Sequence, residues 1–141
     1  MKHNMQEKQL FEYAVIRVVP RVEREEFLNV GLILYSRDAK FLETIFALDV
    51  NRLAALNPSL DLENIEHHLR AFELISKGDA AGGPIANLDL ASRFRWLTAT
   101  RSTIVQTSKV HPGFCGNPGE AIKKLFEQLV LVPTDSVSEI S

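Results

Sequence analysis

Apolar positions along this chain recur with two periods, alternating in the first third and then spaced by three and four. Residues Tyr13 to Val19 are rich in β-branched side chains and contain no glycine, which predicts a strand. Alternation places Ala14, Ile16 and Val18 on one face, and Tyr13, Val15, Arg17 and Val19 on the other. Both faces are largely apolar, so an interior position is expected. Pro20 ends the run because it has no N–H to give a ladder. A second strand is predicted over Asn29 to Tyr35. Antiparallel pairing then puts Arg17 opposite Gly31, whose missing side chain would leave room above the sheet for the arginine or a ligand. A polar turn over Ser36 to Lys40 leads to a third strand, Phe41 to Phe46, closing a meander.

Beyond Asp49 the helical period takes over. Asp49 opens a short helix carrying Val50, Leu53 and Leu56, which Pro58 stops. Between Asp61 and Lys77, the residues Leu62, Ile65, Leu69 and Phe72 mark one face of a longer helix, and Gly78 terminates it. Ala80 to Pro84 is expected to be a flexible loop. Asp89 is placed to cap a helix running through Thr98, with Leu90, Phe94 and Leu97 inward. Residues 103–107, TIVQT, predict a fourth strand, and 111–119, HPGFCGNPG, a loop of turn residues. Asn117 and Pro118 start a last helix with Ile122, Leu125, Phe126, Leu129 and Val130 in its apolar stripe. Strands first and helices later predict an α+β fold, an antiparallel β-sheet of about four strands with helices packed on one face. The polar ends are expected to form a flexible leader over 1–11 and a frayed tail over 132–141, around a single domain at 12–131.

The chain of 141 residues is the size of one domain, with 45% hydrophobic and 24% charged residues. Its formal net charge of -2 offers no whole-molecule attraction to nucleic acid or to an anionic membrane, so any anion site must be local. The one cysteine, Cys115, cannot form an internal disulfide, and no apolar run reaches the ~18 residues of a membrane span; a cytoplasmic protein without a membrane partner is expected. Oligomeric state is left open.

Candidate chemistry is sparse. Among the four histidines only His67 and His68 are adjacent, and on a helix they point about 100° apart, so no metal site is expected. No glycine-rich phosphate cradle is present, and no cofactor is expected. Cys115 lies four residues after His111 in a glycine-rich loop, where a thiolate–imidazole pair is one reading, yet no third group orients the imidazole and a passive cysteine is the simpler one. The clearer signal is electrostatic. From Leu90 through Gly119 there is no acidic residue, whereas Arg93, Arg95, Arg101, Lys109 and His111 are present. Arg17, Arg21 and Arg24 would converge on this zone if the fourth strand joins the same sheet. Arginine suits a planar grip on carboxylate or phosphate, and Trp96 adds a flat surface for a base or a guanidinium. Against this stands an internal network pairing the arginines with Glu23, Glu25, Glu26 and Asp38.

The strings Tyr13-x-x-Ile16-Arg17-x-Val19-Pro20, Arg24-x-Glu26-Phe27-x-Asn29-Val30-Gly31, Arg93-Phe94-x-Trp96-Leu97 and Arg101-Ser102, followed by His111-x-Gly113, resemble the bacterial family known as domain of unknown function 3037. The resemblance runs from Glu12 to about Val130. It implies a shared site of Arg17, Arg24, Asn29, Arg93, Trp96, Arg101, Ser102 and His111, and a protein partner of the toxin-type kinase class. One departure is Phe114-Cys115-Gly116, where the family pattern leads one to expect a more polar loop. Three functions are compatible with these residues. The first is an accessory domain binding an anionic ligand or partner, either nucleic acid or an acidic or phosphorylated protein segment. The second is a metal-independent nuclease or phosphoryl-handling hydrolase with His111 as general acid or base. In the third the arginines form a purely structural network.

Overall fold

A computed structural model describes residues 8–101 and 103–132. Residues 1–7 of the expected leader, the candidate site residue Ser102, and 133–141 of the expected tail lie outside the described residues. The elements in chain order are β1 (Gln9–Val18), β2 (Leu28–Ser36), β3 (Phe41–Phe46), α1 (Val50–Leu56), α2 (Leu62–Lys77), α3 (Leu90–Leu97), β4 (Val105–Thr107), β5 (His111–Cys115) and α4 (Pro118–Leu129). The stretch 80–87, part of which was expected to be a loop, forms two short 3-10 turns, the first capped by Asp79 accepting from the Ala81 N–H.

The fold is α+β, with one antiparallel sheet of five strands ordered β3-β2-β1-β4; β5 pairs with β1 on the same side as β4. The fifth strand adds to the expected sheet of about four. It forms because β1 starts at Gln9 rather than Tyr13, and its added residues Gln9 to Tyr13 give 111–115 a template. The loop expected there is therefore an edge strand, where Pro112 and Gly113 are tolerated because one side of the strand has no ladder to satisfy. Gly113 lies against Phe11: a Cβ there would come within 2.5 Å of the Phe11 ring.

Between β4 and β5 the ladder is carried by a side chain. Ser108 Oγ accepts from the Val15 N–H at 2.9 Å while the Ser108 N–H donates to Val15 O at 2.8 Å. Buried Val15 thus keeps both backbone groups paired where no regular strand faces it.

Hydrophobic cores lie on both faces of the sheet. Ile16, Val18, Ile33 and Tyr35 pack with Leu53, Ile65, Leu69, Phe72, Phe94 and Leu97 of the first three helices. On the other face Phe11, Val15, Leu32 and Leu34 pack with Ile122 of α4, and Leu125 and Phe126 add to the cluster. Helices on one face only, as expected from sequence, is corrected to three helices on one face and α4 on the other. Each of these large apolar side chains contributes about 1.5–3 kcal/mol when fully buried. The predicted caps are in place: Asp49, Asp89 and Asn117 accept from the Arg52, Ser92 and Glu120 N–H groups, and Gly78 ends α2 in the left-handed region at φ 72°.

Candidate anion site

The arginines expected to converge do not share a side of the sheet: Arg93 and Arg101 lie with the first three helices, and Arg17 lies on the other face. Arg17 alternates with Ile16 and Val18, which belong to the core under the first three helices, so its side chain projects on the α4 face. Register reinforces this. A β-bulge falls between Ile16 and Arg17, so Ile16 pairs with Gly31 and Arg17 pairs with Asn29, not with the glycine as expected. The glycine does not open a space: a Cβ on Gly31 would stand 2.7 Å from Ile45 O.

Arg93 and Arg101 belong to the helical face and are largely consumed there. The Arg93 Nε–H donates to Leu88 O at 2.9 Å, and Nη1 donates to Ile75 O and Ser76 O at 2.9 and 2.8 Å, clasping the C-terminal end of α2. Arg101 does the same for α3, with Nη1 donating to Leu97 O and Ala99 O and Nη2 to Trp96 O. A cation at a helix C-terminus is favoured by the carbonyl dipoles collected there. Trp96 lies beside Arg101, whose guanidinium carbon is 4.5 Å from the indole centroid. Burial pulls the Arg101 pKa below its usual value.

In the β1–β2 connection, Arg21 pairs with Glu23 at 3.0 Å and Arg24 with Glu26 at 2.8 Å. Two of the pairs anticipated as an internal network are therefore formed. The Arg24 hydrogen bonds hold the Glu26 carboxyl below its ordinary range; for Glu23 the larger cause is a backbone N–H and the second is Arg21. These exposed pairs contribute little to stability.

Arg17 is different. Among the described residues it has no carboxylate within ion-pair distance, and its Nε is buried without an acceptor. Its guanidinium carbon lies 4.1 Å from the centroid of the Phe27 ring. The neighbouring Asn29 donates from Nδ2 to Leu129 O at 3.1 Å, which fixes the amide orientation and leaves Oδ1 buried and unmatched. On its other side Arg17 pairs with Gln106 of β4. The result is a polar row of Asn29, Arg17 and Gln106 across three strands, holding an orphan donor and an orphan acceptor on neighbouring residues. Buried groups without partners are uncommon and costly, about 1–3 kcal/mol each. Gln9 Oε1 is a third such atom, about 26 Å away along β1 at ~3.3 Å per residue.

His111 is exposed and pairs with Tyr13, its ring 5.3 Å from the tyrosine ring. Tyr13 is four residues from Arg17, about 13 Å along the strand, so His111 does not share the Arg17 site. Four residues of β5 likewise put Cys115 about 13 Å from His111, too far for the thiolate–imidazole pair considered from sequence. Burial pushes the Cys115 thiol up, opposite to the activation a nucleophile requires. Of the eight candidate residues the structure brings together Arg17 with Asn29, and separately Trp96 with Arg101. Sequence reasoning missed Gln106 and the role of Phe27. The signal for Phe27 was an aromatic residue within a charged connection.

No helix among the described residues is long and apolar enough to cross a membrane. The family described as "Protein of unknown function (DUF3037)" matches residues 13–130, most of the chain, and the protein belongs to that family. No curated protein and no solved structure matches it.

Proposed function

From a family whose description carries no activity, we propose that this protein is a small cytoplasmic binding domain that receives an oxyanion at Arg17. The carrying observation is the orphan pair, the buried Arg17 Nε donor beside the buried Asn29 Oδ1 acceptor. A ligand that satisfies both must accept from a guanidinium and donate to an amide oxygen. A phosphate group bearing one proton does so: its oxygens accept from Arg17 and its hydroxyl donates to Asn29. Phe27, stacked on the guanidinium, restricts the motion that binding would otherwise have to arrest.

A phosphorylated side chain on a partner protein is the macromolecular ligand this chemistry favours, and a toxin-type kinase is the first partner to test. Nucleic acid has less support, because Arg93 and Arg101, which were to share that surface, lie on the other face with most of their donors held by helix-end carbonyls. The hydrolase reading rests on His111, which pairs with Tyr13 about 13 Å along the strand from Arg17.

The test is calorimetric titration of the intact chain with phosphoserine and, separately, with serine and with sulfate. Binding of phosphoserine that is lost in Arg17→Met and in Asn29→Leu supports the proposal. Equal binding in wild type and Arg17→Met contradicts it. Sulfate, fully ionised and without a hydroxyl donor, is expected to bind more weakly than phosphoserine, by about tenfold for one lost hydrogen bond to a buried acceptor.

A further inference from the structure

The helical face carries a second feature, separate from Arg17. A cleft of about 250 Å³ lies between α2, α3 and β4, lined by His68, Phe72, Ile75, Trp96, Arg101 and Val105 among others. Its floor is apolar, since Phe72, Ile75 and Val105 are core residues. Its side is Trp96, which leaves 39% of its surface in solvent although it is the only tryptophan of the chain. Arg101 is fixed between two rings, its guanidinium carbon 4.5 Å from the Trp96 centroid and 5.4 Å from that of Phe72.

Three of the five guanidinium N–H groups of Arg101 go to the carbonyls of Leu97, Ala99 and Trp96, which leaves the Nε–H and one Nη2–H without an acceptor among the described residues. Among the described residues no carboxylate lies within ion-pair distance of this cation. The surrounding sequence from Leu90 to Gly119 has no acidic residue to supply one. His68 is also held, its Nδ1–H donating to Asn64 O at 2.9 Å, which makes Nε2 the remaining polar atom of the ring.

We propose that this cleft binds a small monocarboxylate with a single-ring or branched-alkyl body, the body against Trp96 and Phe72 and the carboxylate on the two unspent N–H groups of Arg101. An apolar chamber with one immobilised, uncompensated cation at its side selects for an apolar ligand with one negative charge. The volume sets the size. Pockets for drug-sized ligands run from about 300 to 1,000 Å³, so a cleft of about 250 Å³ takes a single ring and not a nucleotide. Offset stacking on the indole adds to the burial of the ligand body.

The sole tryptophan makes the site self-reporting. The intact chain is titrated with 3-phenylpropionate while Trp96 emission is followed, alongside the neutral 3-phenylpropionamide and acetate. A saturable change with 3-phenylpropionate, at least about tenfold weaker with the amide and with acetate, is expected from losing either the charged hydrogen bonds or the apolar body. Because Arg101 also caps α3, the principal variant is Ala71→Phe, which fills the cleft from α2 and leaves Arg101 and its carbonyl partners untouched. It is expected to melt as wild type does and to lose the response, whereas Arg17→Met is expected to keep it. An amide as effective as the acid, no saturable response to the acid, or a folded Ala71→Phe chain that binds normally would each overturn the proposal.

Discussion

Replacing Arg17 by methionine separates a guanidinium kept for binding from one kept for folding. Methionine has similar reach and continues to cover Phe27, but it removes the donors. Two contributions oppose each other. The cation–π contact with Phe27, at 4.1 Å, is worth about 0.5–1 kcal/mol at a partly exposed site. Against it, the buried Nε–H without an acceptor costs the folded state about 1–3 kcal/mol, which the substitution recovers. The net expectation for Arg17→Met is a protein as stable as wild type or more stable, by roughly 0–2 kcal/mol. Arg93→Met is the control in which the donor term has the other sign. It breaks three hydrogen bonds from a charged donor to Leu88, Ile75 and Ser76. Water replaces part of that loss at an open helix end, so a destabilisation of about 2–4 kcal/mol is expected. Urea unfolding followed by far-UV circular dichroism measures both, with unchanged m-values required for the comparison. An Arg17→Met chain destabilised as strongly as Arg93→Met would refute the reasoning, because Arg17 would then be holding the fold.

Other consequences are checked by the same unfolding assay. Ser108→Ala strips the Val15 N–H of its acceptor in a buried place and is expected to cost about 1–3 kcal/mol, more than an exposed serine would. Ile122→Ala, at a position only 1% exposed that anchors α4, is expected to cost about 2–5 kcal/mol, with α4 losing amide protection before the rest of the sheet. The Ser92 N–H, followed by the Ser92 side chain, holds the Asp89 carboxyl below its usual value of 3.8. A depressed folded pKa means this cap contributes fully above pH 3.8 and its contribution is lost as pH falls through the lower folded value. Asp89→Asn, which keeps a capping oxygen, is expected to flatten that acid limb, and an unchanged pH profile would argue against the cap.

Local chemistry was legible in the sequence. The Asp49, Asp89 and Asn117 caps, Pro118 at the start of α4 and Gly78 after α2 act within a few residues, so one short string contains all the interacting parts. Non-local pairing was not. His111, Pro112 and Gly113 read as a loop because the partner that makes them a strand, Gln9 to Tyr13, is about a hundred residues earlier. A single bulged residue moved Arg17 from Gly31 to Asn29, and no local signal marks it. The second core was partly visible: β1 has apolar residues on both faces, which only a sheet covered on both sides requires. The partners of the arginines were not legible, for a physical reason. Their charge suggests carboxylate partners, yet Arg93 and Arg101 are matched by backbone carbonyls, groups every residue has and no sequence pattern announces.

The central claim concerns one N–H group, and nitrogen-15 NMR of arginine-labelled protein observes that group directly. Arg17→Met assigns the Arg17 Nε–H resonance by its disappearance, and phosphoserine is then added to the wild-type chain. The expected result is a saturable downfield shift of the Arg17 Nε–H, as a free donor gains a charged acceptor, with the Arg93 signal unmoved because its Nε–H is already bound to Leu88 O. An Arg17 resonance that stays in place while exposed arginines such as Arg37 and Arg95 shift would contradict the account.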